Sequence, residues 1–207
     1  MPAVRSLTTE EVREMMNTRA FHSIGNYRRN CAILMMQLTM GPRIHELLLL
    51  KVGDVLDRNG KMKNSVYFRK TKNAVPRSVA MSPVLPPYLL AWFREMEAQG
   101  LLVADVPIFI GSYSTRALSR AQVYNIYTAA MKELELEGIG THSPRKTWAV
   151  ACYNLLCDER SKGARVEPLL ELQRLGGWKK VDSVMHYLNS VSHWGKFVQS
   201  NLFLELK

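Results

Sequence analysis

The spacing of apolar positions along the chain predicts a protein made mostly of helices. Near the start, Thr8 and Glu11 stand three residues apart ahead of an apolar position, which is the pattern of a capping box. Apolar residues then recur at helical spacing over residues 26–40 and, after a Gly-Pro break, over Arg43–Val55. A charged loop is expected at Asp158–Val166. Further helices are predicted at about 87–99, 119–136, 144–156, 167–176 and from about 180 onward.

One segment departs from the helical period. Ser65–Phe68 and a second run ending at Met81 have the composition of strands, and Asn59-Gly60 is a dipeptide typical of tight turns. Together they predict a small antiparallel β-ribbon over about residues 58–81. The predicted fold class is therefore mainly α with a small antiparallel β-ribbon (α+β), in a single domain over residues 1–207.

Charge is the part of the composition that changes this picture. The 207 residues include 28 Lys and Arg against 18 Asp and Glu, which gives a formal net charge of +10. Seven basic residues and no acidic one lie between Arg58 and Arg77, so the excess forms a patch on the ribbon. Such a patch favours a polyanionic partner, because each neutralised phosphate releases condensed counterions. The candidate residues for binding such a partner are Arg69, Lys70 and Arg77 within this segment and Lys146 outside it.

Other features exclude several classes of protein. No apolar run approaches the ~18–20 residues that a membrane span needs, and the N-terminus has no apolar signal-peptide core. The cysteines Cys31, Cys152 and Cys157 are odd in number and lack zinc-ligand spacing, which is typical of a reducing compartment. We therefore expect a soluble, cytoplasmic protein with no membrane partner.

Two short motifs could bind and process a phosphate group. A Gly-Pro break places Arg43 in the first turn of a helix, where N–H groups and the helix dipole favour an anion. Glu46, one turn later, could orient the Arg43 guanidinium. His142 and Arg145 share one face of another helix start, and histidine exchanges protons near neutral pH. Taken singly, these residues are also typical of a surface arginine and a polar helix cap.

A third motif is Gly-Gly-Trp ending at Trp178, followed nine residues later by Tyr187. Each aromatic residue alone is also typical of core packing. The order Arg-x-x-Glu, ribbon lysine, His-x-x-Arg, Gly-Gly-Trp and late tyrosine nevertheless resembles the catalytic domain of the tyrosine recombinase (phage integrase) family, from Leu7 onward. Gly-Gly-Trp and Val-Met-His-Tyr are most similar to the Cre-type variant, in which tryptophan stands where other members have a second histidine.

The resemblance implies a catalytic set and a metal-independent mechanism without cofactors. The implied catalytic residues are Arg43, Lys72, His142, Arg145 and Trp178, with Tyr187 as nucleophile and Glu46 in support. Tyr187 would form a 3′-phosphotyrosyl link and release a 5′-hydroxyl, His142 would act on the tyrosine proton, and Lys72 would protonate the leaving oxygen. Lys72 is selected by counting back from the second strand, and Lys70 is the alternative.

The implied function is that of a site-specific recombinase that cuts and rejoins double-stranded DNA, in integration, excision or inversion. The alternatives are a type IB topoisomerase-like relaxing enzyme and a catalytically silent DNA-binding regulator. The implied assembly is a homotetramer on paired DNA sites and a monomer when free, with accessory DNA-bending proteins as further candidate partners. Residues 192–207 form an amphipathic tail that could be exchanged between protomers. Because the resemblance begins at Leu7, we expect these residues not to include the N-terminal core-binding domain usual in the family, in a chain that is either trimmed or naturally short.

Overall fold

The computed structural model describes residues 5–69, 71, 74–111 and 114–188. These residues form helices and one pair of strands in the order α1 Thr9–Asn17, α2 Arg19–Ser23, α3 Tyr27–Met40, α4 Ile44–Leu47, α5 Val52–Val55, β1 Ser65–Phe68, β2 Arg77–Ala80, α6 Pro86–Ala98, α7 Arg120–Glu133, α8 Ser143–Ser161, α9 Pro168–Gly176 and α10 Val181–Leu188. The fold class predicted from the sequence is confirmed.

Side-chain caps fix where several helices begin. At α1, the Thr8 hydroxyl accepts from the Glu11 N–H at 3.1 Å, and the Glu11 carboxylate accepts from the Thr8 N–H at 2.8 Å. The predicted capping box is therefore present. Ser119 and Gln122 form a second capping box at the start of α7. Each box satisfies two backbone donors that a helix otherwise leaves unpaired.

Two apolar clusters hold these elements together. The larger one surrounds α3, whose Ala32, Leu34 and Met36 are fully buried, and α3 packs against both α6 and α8. The smaller one joins α8, α9 and α10 through a set of buried residues: Trp148, Ala149, Leu172, Trp178, Val184 and Leu188. Because α10 is held by this second cluster, the cluster determines where Tyr187 lies.

The predicted β-ribbon is present, with β1 and β2 antiparallel. Phe68 pairs with Arg77 and Val66 pairs with Val79. These four residues are buried, while the residues between them are exposed. Side chains alternate between the two faces of a strand, so the register puts Arg77 on the inner face of the ribbon.

The single helix predicted over Arg43–Val55 is wrong. The structure has the two short helices α4 and α5, separated by a turn at Leu48 and Leu49 and by extended backbone at Lys51. The Leu50 carbonyl accepts from the Ile108 N–H at 2.9 Å, and the Val52 N–H donates to the Val106 carbonyl at 2.9 Å. Pairing with this distant segment replaces the helical hydrogen bonds that the apolar spacing suggested.

The loop predicted at Asp158–Val166 is shorter than expected, because α8 continues to Ser161. The helix stops just before Gly163, whose φ of +97° is a conformation that glycine adopts readily. The helix α2 was not predicted, and its N-cap is the Thr18 hydroxyl. Across the part of the chain that the structure describes, no helix has both the length and the apolar character to cross a membrane.

Gly41, at the end of α3, makes a close contact with Trp148 of α8. Its φ is +64°, and a Cβ there would lie 2.1 Å from Cε3 of Trp148. We expect Gly41→Ala to lower the free energy of unfolding by about 2–4 kcal/mol, from left-handed strain plus steric overlap. Gly60→Ala is the matched control, since Gly60 has a φ of +73° and open space around it. It should lose only about 1–2 kcal/mol from strain. Equal losses in urea unfolding would contradict this account of Gly41.

Candidate active site

A buried carboxylate, that of Glu46 on α4, lies at the centre of the site. Its side chain accepts from Arg77 Nη1 at 2.7 Å and Nη2 at 3.2 Å, and from the Arg43 N–H at 2.7 Å. Arg43 Nη1 and Arg145 Nη1 lie 3.8 and 3.9 Å from its oxygens. Three guanidinium groups therefore surround one carboxylate. Arg43 is the N-cap residue of α4, one position before the first turn where the sequence placed it.

Arg145, in the first turn of α8, is fixed by contacts from three directions. It is 0% exposed, its Nη1 donates to the Gly41 carbonyl, and its Nη2 donates to the Gly176 carbonyl at 2.7 Å. Its guanidinium carbon lies 4.1 Å from the ring centroid of Trp178, a cation–π contact. Burial, together with the nearby charge of Arg43, lowers the pKa of Arg145 to about 10, so it stays charged at neutral pH.

Tyr187 on α10 lies beside this arginine. Its ring meets Trp178 edge to face, with centroids 5.0 Å apart, and lies 5.6 Å from the Arg145 guanidinium carbon. Trp178 in turn packs against Trp148 of α8, with centroids 6.1 Å apart. The two tryptophans therefore support both the arginine and the half-buried tyrosine.

Three nitrogen atoms at this point lack hydrogen-bond partners. Among the described residues, the buried side-chain polar atoms without a partner are Arg43 Nη1, Arg145 Nε and Trp178 Nε1. All three are donors, and both guanidinium carbons lie within 5.9 Å of the Trp178 ring centroid. Buried donors in proteins are nearly always satisfied. Three unsatisfied donors side by side, two of them on cations, fit an anion that carries several acceptor oxygens.

His142 opens onto an adjoining cleft. The cleft is lined by polar and charged side chains, among them Arg43, His45, Arg120, Tyr124 and His142. Partial burial lowers the pKa of His142 below its ordinary value, and the positive charges of Arg145 and Arg43 lower it further. His142 is therefore neutral at pH 7 and able to accept a proton.

The two candidate lysines of the ribbon, Lys72 and Lys70, lie outside the described residues, so their assignment stays a prediction. Thr71 between them is described, and its hydroxyl is 3.3 Å from Nε2 of His45. This contact places Thr71 next to α4. Within the described ranges, no three His, Cys, Asp or Glu side chains group together as metal ligands.

The remaining candidate DNA-binding residues differ in exposure. Arg69 is exposed, and its Nη2 donates to Asp54 Oδ1 at 2.7 Å. Arg77 and Lys146 are only 7% and 6% exposed, which differs from the exposure expected of residues that bind a polyanion. Strand register turns Arg77 inward. Lys146 follows Arg145 on the buried first turn of α8, and burial lowers its pKa.

The structure thus brings together Arg43, Glu46, His142, Arg145, Trp178 and Tyr187, as the motif order predicts. It also adds residues that sequence reasoning missed, namely His45, Arg120, Tyr124 and Trp148. His45 had a signal, because it lies inside the Arg-x-x-Glu motif. Arg120 and Tyr124 had none, because they reach the cleft only where the folded chain places α7 and α4 on its walls.

Comparison with known proteins identifies the family of the chain. The chain matches the model of the phage integrase family over residues 5–193, and it belongs to that family, the tyrosine recombinases. A probable integrase/recombinase of Bacillus subtilis (strain 168), YoeC, is 23% identical over 185 residues, which cover 89% of this chain and 87% of YoeC. The family resemblance inferred from the motifs is confirmed.

Solved structures with the same fold include three recombinase structures of different lengths. XerA recombinase matches with a TM-score of 0.65 and 18% identity, over 89% of this chain and 60% of XerA. A lambda integrase (75–356) dimer bound to a COC′ core site matches with a TM-score of 0.65 and 18% identity, over 90% of this chain and 59% of that one. The lambda integrase catalytic core matches with a TM-score of 0.59 and 18% identity, over 84% of this chain and 91% of the core. The chain therefore spans about three fifths of the longer structures and most of the isolated core.

Removing the central carboxylate tests whether the arginines depend on it. Glu46→Ala leaves Arg77 and Arg145 buried without their counter-charge, so we expect the free energy of unfolding to fall by about 3–5 kcal/mol. The matched control is Glu171→Ala, because Glu171 also holds an arginine, Arg174, through two hydrogen bonds, but at the surface. That variant should lose at most about 1 kcal/mol. Urea unfolding measures both, and similar losses would show that Glu46 does not hold the cluster.

Proposed function

We propose that this chain is the catalytic domain of a site-specific DNA recombinase, which cuts and rejoins DNA strands through a covalent 3′-phosphotyrosyl intermediate. The observation that carries the proposal is the group of three buried, unpartnered donors beside Tyr187. A phosphodiester has two non-bridging oxygens that share one negative charge and accept hydrogen bonds from such donors. The adjacent phenol supplies a nucleophile at the same place.

In the proposed reaction, Arg43 Nη1, Arg145 Nε and Trp178 Nε1 bind the non-bridging oxygens. The Tyr187 oxygen attacks phosphorus, a bond forms between them, and the bond from phosphorus to the 5′ oxygen breaks. His142, neutral because its pKa is lowered, accepts the phenol proton. Lys72 donates a proton to the departing 5′ oxygen, which leaves as a hydroxyl. The reverse sequence rejoins the strands, because the phosphotyrosyl link conserves the energy of the broken bond.

The charge of the site favours the transition state over the ground state. Negative charge accumulates on the phosphoryl oxygens as the fifth bond forms, and buried cations stabilise that charge more strongly than exposed ones. Arg145 is held rigidly by the two carbonyls of Gly41 and Gly176, so it needs little reorganisation during the reaction. The catalytic roles of Lys72 and Trp178, including the Cre-type reading of Trp178, are part of this proposal.

Double-stranded DNA is the proposed partner. The net charge of +10 and the exposed Arg69 on the ribbon support it. The lambda integrase and XerH structures with this fold include complexes with DNA sites. We further propose that residues 1–207 form one catalytic domain, cytoplasmic and nucleoid-associated, that assembles as a homotetramer on paired sites. The proposed exchange of residues 192–207 between protomers concerns a segment outside the described residues.

The phosphotyrosyl mechanism predicts covalent adducts on supercoiled plasmid without added metal. Incubation in EDTA followed by SDS should leave protein attached to DNA. Tyr187→Phe should lower adduct formation by at least about 1,000-fold, because the nucleophile is lost while the donors that bind the phosphate remain. Tyr88→Phe, on α6, is the matched control and should react like the wild type.

The same assay separates the alternatives. DNA binding without adducts on plasmids that carry the DNA flanking this gene would contradict the proposal and favour a silent regulator. Adducts at random sites, with plasmid relaxation and no exchange between sites, would favour a type IB topoisomerase-like enzyme. Adducts at one sequence, with strand exchange between two copies of it, are the expected result.

A further inference from the structure

Arg77 differs from the other basic residues that the structure describes on the ribbon, because its charge faces inward. Its two Nη atoms donate to the two oxygens of Glu46, and its Nε donates to the Leu175 carbonyl at 2.8 Å. Its guanidinium carbon lies 4.9 Å from the centroid of the Phe68 ring, its cross-strand neighbour. Every nitrogen of this guanidinium therefore already has a partner inside the protein.

These contacts join three parts of the site that are far apart in sequence. Arg77 belongs to β2, Glu46 to α4, and Leu175 to the last turn of α9, three residues before Trp178. A backbone hydrogen bond from the Val75 N–H to the Gly177 carbonyl, 3.2 Å long, runs beside them. The packing is tight, since a Cβ on Gly177 would lie 2.6 Å from Arg77 Nη1.

We propose that Arg77 is a positioning residue that locks the β-ribbon onto the catalytic centre and keeps Glu46 ionised, so that Glu46 aligns Arg43 and Arg145. The proposal rests on the proposed function, because it gives Arg77 an effect on strand cleavage. If β2 loosens, Glu46 loses the support of Arg77, and Arg43 and Arg145 are displaced with it.

The planar fork of arginine suits this role. It engages both oxygens of Glu46 and still presents Nε to a third group, whereas a lysine is a single point charge. Arg77→Lys keeps the positive charge near Glu46 but loses the simultaneous hydrogen bonds to both Glu46 oxygens and to the Leu175 carbonyl. Arg77→Met loses the charge and these hydrogen bonds. The two variants therefore separate the effect on ionisation from the effect on position.

The ionisation of Glu46 provides a readout that simple destabilisation would not change. The charged groups near its carboxylate are Arg43 at the N-cap of α4, Arg77 from β2 and Arg145 from α8, and the nearby titratable group is His45 of α4. Burial alone would raise the pKa of Glu46, and hydrogen bonds and charge from Arg77, with help from the Arg43 N–H and Arg145, hold it below its ordinary value. Loss of Arg77 should raise this pKa, so that Glu46 takes up a proton at a higher pH.

The test measures single-turnover adduct formation on nicked duplex DNA from about pH 5 to 8. At neutral pH, Arg77→Met should react roughly 100-fold more slowly than the wild type. As the pH is lowered, the rate of Arg77→Met should also begin to fall at a higher pH than the rate of the wild type. Arg77→Lys should be slower than the wild type, with its acid-side fall little changed. Arg174→Met is the matched control, because Arg174 donates two hydrogen bonds to Glu171 at the surface. This variant should react at the wild-type rate.

Several outcomes would overturn the proposal. A wild-type rate for Arg77→Met, or a loss that is the same at every pH, would do so. If Arg77→Met does not fold, Arg77→Lys decides, and a wild-type rate for it would contradict the locking role. Titration of the Glu46 carboxyl by ¹³C NMR, without DNA, tests Arg77 separately from the proposed function. No adduct from the wild type would refute the function, whereas an unchanged pKa of Glu46 in the Arg77 variants would refute the role of Arg77.

Discussion

The carboxylate of Glu46 is 3% exposed and lies among the guanidinium groups of Arg43, Arg77 and Arg145. Each of these cations would be costly to bury alone, because the protein interior solvates charge poorly. One negative charge among three positive ones makes their burial tolerable but leaves two positive charges in excess. That excess, together with unpaired donors on Arg43 and Arg145, prepares the site for an anion.

The surrounding elements each deliver one part of this arrangement. The end of α3 supplies the Gly41 carbonyl, the start of α8 supplies Arg145, and the end of α9 supplies the Gly176 carbonyl. The ribbon supplies Arg77, and α10 supplies Tyr187. The site is therefore a meeting point of helix ends and one strand, which explains why residues up to 144 positions apart act together, from Arg43 to Tyr187.

Local patterns predicted the elements whose causes are local. The capping box at Thr8 and Glu11, the apolar stretch that became α3, and the alternation of the ribbon all depend on residues close in sequence. The motif residues were found through their order along the chain, and the structure brings the described ones together. Taken alone, Tyr187 and Trp178 are also typical of core residues. Their contacts with Arg145 distinguish them from aromatic residues that only pack in the core.

What the sequence did not reveal depends on contacts between distant segments. The break between α4 and α5 follows from pairing with residues 106–108, which no local pattern signals. The inward direction of Arg77 follows from strand register, since a shift of one residue would turn it to solvent. Arg120 reaches the cleft only because α7 and α4 both line it in the folded chain.

The central claim is that the Glu46 cluster forms a phosphate site beside Tyr187, and a crystal structure of the chain with orthovanadate tests it most directly. Vanadate mimics a phosphoryl group, and we predict that its oxygens lie about 3 Å from Arg43 Nη1, Arg145 Nε and Trp178 Nε1. The vanadium atom should then face the Tyr187 hydroxyl. Vanadate bound at another place, with these three donors still unpaired, would contradict the account.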